Sequence, residues 1–191
     1  TPQSNWLVVG LGFLALALAF SARAALGLIM PVWQSEFGWS SSYVSGVAAS
    51  ALVVMAIVAP FAGRLIDTRG PRFALNLGMG LIGVGCAIVA VMTTKWMFVI
   101  GFAGFSAVGF GIVATHVVAT AVTRAFDKKV GLATGIATSG ATGGQFLIVP
   151  LIAALLAFAS WRWSFGALSI ASLALIPCIR MCLKKRVVTT D

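Results

Sequence analysis

Long runs of apolar residues dominate the chain, broken by short polar segments that hold most of its charge. A helix needs about 20 apolar residues to cross the hydrocarbon core, because lipid offers no partner for an unpaired backbone amide. Six stretches meet that demand: 6–30, 43–61, 73–92, 96–122, 130–158 and 163–181. None alternates with the two-residue period of a membrane barrel strand, so all six are predicted to be helices. Trp6, Trp33, Trp39, Trp96, Trp161 and Trp163 all fall at or beyond span ends, where indole rings sit at headgroup level. Pro31 is predicted to end the first span. Pro150 and Pro177 fall inside later spans, where neighbouring helices must satisfy the carbonyls they free.

Composition agrees with this pattern. Of 191 residues, 60% are hydrophobic and 9% charged, and Asp and Glu together number four. A soluble domain spends about a quarter of its residues on charge, so a soluble globular fold is excluded. The net charge of +9 does not point to nucleic acid, because the thirteen Lys and Arg are scattered between long uncharged stretches and not gathered on one face. Arg64, Arg69 and Arg72 follow span two, and Arg124, Lys128 and Lys129 follow span four. Arg180, Lys184, Lys185 and Arg186 close the chain, while the opposite side carries Lys95 and Arg162. The positive-inside rule therefore predicts both termini in the cytoplasm. Cys86, Cys178 and Cys182 lie in apolar stretches without a CxxC or a nearby His, so neither a disulfide framework nor a metal site is expected. No cofactor is expected either. The first apolar stretch is too long, and lacks the basic leader, for a cleavable signal peptide.

The most informative segment is Gly63-Arg64-Leu65-Ile66-Asp67-Thr68-Arg69-Gly70-Pro71-Arg72-Phe73-Ala74-Leu75. It resembles the loop between helices two and three of the major facilitator superfamily of secondary transporters, whose pattern runs Gly-x-Leu-x-Asp-Arg-x-Gly-Arg-Arg-x-x-Leu. Gly63, Leu65, Asp67, Gly70, Arg72 and Leu75 match, whereas Thr68 and Pro71 replace two basic residues. The Glu36-Phe37-Gly38-Trp39-Ser40 run before span two, the Gly70-Pro71-Arg72 variant and the run from Gly131 to Gly144 are similar to the monocarboxylate-porter-like and oxalate-formate-antiporter-like branch. Many such relatives carry Arg where this chain has Ser41.

The resemblance implies an all-α membrane protein forming the N-terminal six-helix bundle of a major facilitator. Residues 1–183 would form the bundle and 184–191 would begin a central cytoplasmic loop. A C-terminal six-helix half, a small organic anion such as a monocarboxylate, the lipid bilayer and a proton are the implied partners. A multi-pass location in a bacterial inner (plasma) membrane is expected. Transport would follow alternating access without ATP, and the chain has no Walker-type phosphate loop.

Charge inside a span is costly and marks function by default. Arg23, about 25 Å along the first helix from Trp6, is placed in its outer half. Its guanidinium could hold a carboxylate bidentately, or snorkel to the outer headgroups. Gln145, His116 and Tyr43 are further substrate candidates, and Asn76 is expected to tie helix three to the loop. Many superfamily members carry an Arg at the position of Phe105, four residues before Gly109, which raises the importance of Arg23. Gly63, Asp67, Gly70, Arg72 and Arg124 are assigned to a gating loop in which Arg124 partners Asp67. Gly131, Gly135, Gly140, Gly143 and Gly144 are assigned to helix packing through small-xxx-small pairs. Two other readings fit the same residues: a complete six-helix protein working as a homodimer, and an intramembrane serine hydrolase using Ser139 and His116. The second lacks the Gly-x-Ser-Gly of rhomboid-type enzymes, since position 137 is Ala.

Overall fold

The computed structural model describes residues 2–126 and 128–182; the expected central loop at 184–191 lies outside them. Its helices are α1 (Pro2–Phe37), α2 (Ser41–Arg69), α3 (Pro71–Ala90), α4 (Lys95–Phe98), α5 (Ala107–Ile112), α6 (Thr115–Thr123), α7 (Val130–Thr138), α8 (Gly140–Phe158) and α9 (Trp161–Cys182), with a π-helical stretch Val99–Ser106 joining α4 to α5. Together they make six stretches long and apolar enough to cross a membrane. Span four is α4 to α6, span five is α7 with α8, and span six is α9. In the bundle, α3 packs along α9, α1 along α8 and α2 along α5.

Three expectations about the spans need correction. Pro31 does not end the first helix, which continues two turns to Phe37. A proline inside a helix loses one hydrogen bond and crowds the carbonyl four residues back. Here both Pro31 and Gly27 are exposed, and the added turns bury Trp33 completely. That burial outweighs the lost bond.

Nor do the tryptophans all mark a headgroup belt. Trp6, Trp96 and Trp163 are exposed, but Trp33, Trp39 and Trp161 are buried. Trp33 makes edge contacts with Phe98 at 4.9 Å and Trp161 at 5.5 Å, and stacks on Phe165 at 6.0 Å. The Trp161 indole N–H donates to Glu36 Oε2 at 2.5 Å. This aromatic cluster locks one end of the bundle.

Spans four and five are also interrupted. Val113 and Ala114 leave helical geometry (ψ 70° and 161°) between α5 and α6. Span five is irregular at Ser139, where the Ser139 hydroxyl donates to the Ile136 carbonyl and that of Thr138 to the Thr134 carbonyl. Hydroxyls bonded back onto the preceding turn bend helices.

The glycine pairs of span five divide. Gly140 and Gly144 meet the Phe13 backbone and Ala17 of α1, and Gly143 lies near the Phe13 ring. Gly131 and Gly135 face open space, so they pack against nothing in this bundle. At about 100° per residue, Gly135 and Gly140 lie roughly 140° apart, so the two pairs cannot face one neighbour. Close approach elsewhere rests on glycines not singled out from sequence. Gly85 meets Ser106 and the Gly101 carbonyl, and Gly109 meets Ile82 and the Gly78 carbonyl, seating span four on α3.

Candidate functional site

A cavity of about 350 Å³ opens between α1, α2, the middle of span four and α8. Helical spacing explains its lining. Phe20, Arg23 and Ala24 share one face of α1, and Ala48, Ala51, Leu52 and Met55 form an i, i+3, i+4, i+7 stripe on α2. Phe102 lies in the π-helical stretch and Phe110 in α5. Eight residues of regular α-helix would set them about 80° apart. The wider π-turns reduce that angle, and the rings meet edge to face at 5.8 Å.

Arg23 is the charged residue among the lining side chains. Its guanidinium carbon lies 5.3 Å from the Phe20 ring centroid. Because α1 extends to Phe37, Arg23 sits near the middle of the apolar stretch Trp6–Phe37 and not in an outer half. Either end of the helix is then about 20 Å or more away. Gln145 of α8 reaches the same cavity, and its Nε2 donates to the Phe20 carbonyl at 3.1 Å. A lone guanidinium within apolar walls can bind a carboxylate through a charge-assisted fork.

Tyr43 and His116 are not brought to this cavity. The Tyr43 hydroxyl donates to the Lys95 carbonyl at 2.8 Å, and its ring meets Trp39 and Phe98. It lies five residues, about 7.5 Å, before the first lining residue of α2. His116 is exposed on α6, beyond the break at Val113–Ala114 that follows the last lining residue of span four, Phe110. Phe20, Met55, Phe102 and Phe110 were missed from sequence. The only available signal was Phe20 lying three residues before Arg23.

The expected loop between spans two and three shrinks to Gly70. α2 runs on to Arg69, so Gly63 and Asp67 are helical. Gly70 supplies the positive φ of 82° that ends α2, and Pro71 occupies the first turn of α3. Arg124 Nη2 lies 3.4 Å from Asp67 Oδ1, and its Nη1 donates to the Ile66 carbonyl at 3.3 Å. Arg72 Nη2 donates to the Arg180 carbonyl of α9 at 2.6 Å. Asn76 donates to the Arg72 carbonyl at 2.9 Å, within α3 itself. Thr68, where the family pattern has a basic residue, bonds back to the Arg64 carbonyl.

The sequence profile of the Major Facilitator Superfamily matches residues 12–190. Monocarboxylate transporter 14 of Mus musculus is 30% identical over 168 residues, covering 86% of this chain and 33% of that protein. Monocarboxylate transporter 13 of Bos taurus is 27% identical over 174 residues, covering 91% of this chain and 41% of its own length. MFS-type transporter 1 of Ophiocordyceps sp. is 27% identical over 175 residues, covering 90% and 39%. The chain thus spans about a third to two-fifths of these relatives. All three are eukaryotic, so they lend no support to the expected bacterial inner membrane.

Proposed function

The chain belongs to the Major Facilitator Superfamily, a family of transporters and not of enzymes, and from that premise we propose that it is the N-terminal half of a secondary transporter for a small organic anion. The observation that carries this reading is the placement of Arg23, a lone cation at mid-helix in a cavity walled by apolar side chains. Monocarboxylates are the substrate class that fits one guanidinium, and they are the class that the mammalian relatives are named for. Exposed apolar faces on α2 (Leu52, Val53, Ile57) and α8 (Phe146, Leu147, Leu151) supply the surface against which a C-terminal half closes the cavity. Among the described residues no acid lines the cavity, so coupling falls to the other half, to an exchanged anion or to the substrate's own proton.

The end carrying Asp67, Arg72 and Arg124 faces the cytoplasm in this reading, in keeping with the ten Lys and Arg counted on that side against two on the other. Arg124 bridges Asp67 and the Ile66 carbonyl near the end of α2, tying span four to α2 when the cytoplasmic gate is shut. The Asp67 and Arg124 side chains are 77% and 43% exposed. A pair so open contributes about 0–1 kcal/mol, enough to bias a gate without governing the fold. Asp67→Asn is expected to change transport rate several-fold at normal surface expression and unchanged melting temperature. An unchanged rate removes the gating role.

The overall reading is tested with the full-length protein in ATP-free proteoliposomes. Labelled monocarboxylate should enter, and unlabelled monocarboxylate on the far side should accelerate the exchange. Uptake that requires ATP, or no recognition of any carboxylate, contradicts it.

A further inference from the structure

The cavity is unevenly furnished. Arg23 provides its charge and Gln145 its amide, and the Gln145 NH₂ group is already engaged by the Phe20 carbonyl. The remaining wall is apolar, and three of its members are aromatic rings: Phe20, Phe102 and Phe110. On α2, Ala48 and Ala51 line the same space, so two successive positions of its stripe carry nothing beyond a methyl group.

Resting on the organic-anion reading above, we infer that the preferred substrate is a monocarboxylate with a bulky apolar tail of about the size of an aromatic ring. Arg23 holds the carboxylate. Phe102, Phe110 and the two alanines form the tail subsite.

Charge sets the first half of this preference. On the surface this half contributes, one cation and no acid match a single carboxylate, and a second carboxylate would find no partner there once stripped of water. Room sets the second half. An apolar cavity of about 150 Å³ is enough to hold benzene, and this one offers about 350 Å³, space for a ring together with its carboxylate. A two-carbon acid would leave most of that space to water against an apolar wall. Each further methylene buried is worth about fourfold in affinity, so the tail has a large effect on selectivity.

Competition against uptake of a labelled monocarboxylate by the full-length protein in proteoliposomes tests this, using acetate, phenylacetate, succinate and benzyl alcohol. Phenylacetate should compete at least tenfold more tightly than acetate, with succinate and the uncharged alcohol weaker than phenylacetate by a similar margin. Ala51→Leu and, separately, Ala48→Leu fill the tail subsite and should each narrow the phenylacetate-to-acetate ratio in correctly inserted protein. Acetate competing as well as phenylacetate, or a ratio unmoved by either substitution, overturns the tail subsite and leaves the anion reading intact. Failure of every carboxylate, with a neutral or cationic solute carried instead, takes down both.

Discussion

Gly144→Leu is expected to abolish assembly of the bundle, seen as loss of the monodisperse peak of detergent-extracted full-length protein. A Cβ at Gly144 would fall 2.6 Å from the Ala17 Cα, and one at Gly140 would fall 2.7 Å from the Phe13 Cα. Both neighbours are the α1 chain itself, which no rotamer change can move aside. Extra methylenes in a tight core cost about 1–3 kcal/mol, and a leucine adds several at a backbone contact. Lipid makes the loss hard to recover, because helices in a bilayer associate through close packing and not through water exclusion. Gly144→Ala should already lower the melting temperature. Gly135→Ala is the matching control. Its Cβ would enter open space, and removing a mid-helix glycine relieves up to about 1 kcal/mol, so the melting temperature should hold or rise. Equal tolerance of Gly135→Ala and Gly144→Leu would contradict the α1–α8 contact.

Arg23→Ala is expected to weaken apparent substrate affinity by roughly thirtyfold or more at normal surface expression. Removing one partner of a desolvated charge pair costs about 2–5 kcal/mol, much of it from the carboxylate left unpaired, and each 1.4 kcal/mol is tenfold. Arg23→Lys should fall between, since an ammonium keeps the charge but loses the planar fork that grips both carboxylate oxygens. The Phe20 ring beneath the guanidinium holds that fork in place, a contact worth about 0.5–2 kcal/mol for a cation over an aromatic face. Unchanged affinity in both variants would make Arg23 a bystander.

Much of the architecture could be read before any coordinates, because hydropathy reports a local requirement. Every backbone amide in lipid must be paired within its own helix, so an apolar run long enough to cross can hardly be anything else. Arg23 was legible for the same reason, being a charge where charge is expensive. Gln145 was legible as an amide inside an apolar span, where a polar group needs a partner.

What failed depended on rotation and on partners. His116 lies in span four with the cavity-lining Phe102 and Phe110, but beyond the break at Val113–Ala114, so membership of a lining span did not bring it to the cavity. Tyr43 sits one turn short of the lining stripe. Trp33 carries the same hydropathy whether it faces headgroups or Phe98 and Phe165, so sequence could not separate a belt from a core. Gly131 and Gly135 follow the same spacing rule as Gly140 and Gly144, yet only the latter pair meets a neighbour. The rule states which residues share a face and not whether another helix lies opposite. The gating loop shows a fourth limit: Asp67 and Arg124 were paired by charge and side, whereas the near disappearance of the loop depended on Gly70 and Pro71 joining α2 directly to α3.

One measurement bears most directly on the claim that α1, α2, span four and α8 line the substrate site. Ala48→Cys is introduced into the full-length protein with Cys86, Cys178 and Cys182 replaced by alanine and Arg23 left intact. Its modification rate by a membrane-impermeant thiol reagent is then followed with and without saturating monocarboxylate. The new thiol is expected to react from water and to be protected by the carboxylate in wild-type Arg23 background, with protection lost when Arg23→Ala is added. Reaction at the same rate with and without substrate, in a protein that still transports, would place the substrate elsewhere and contradict the site.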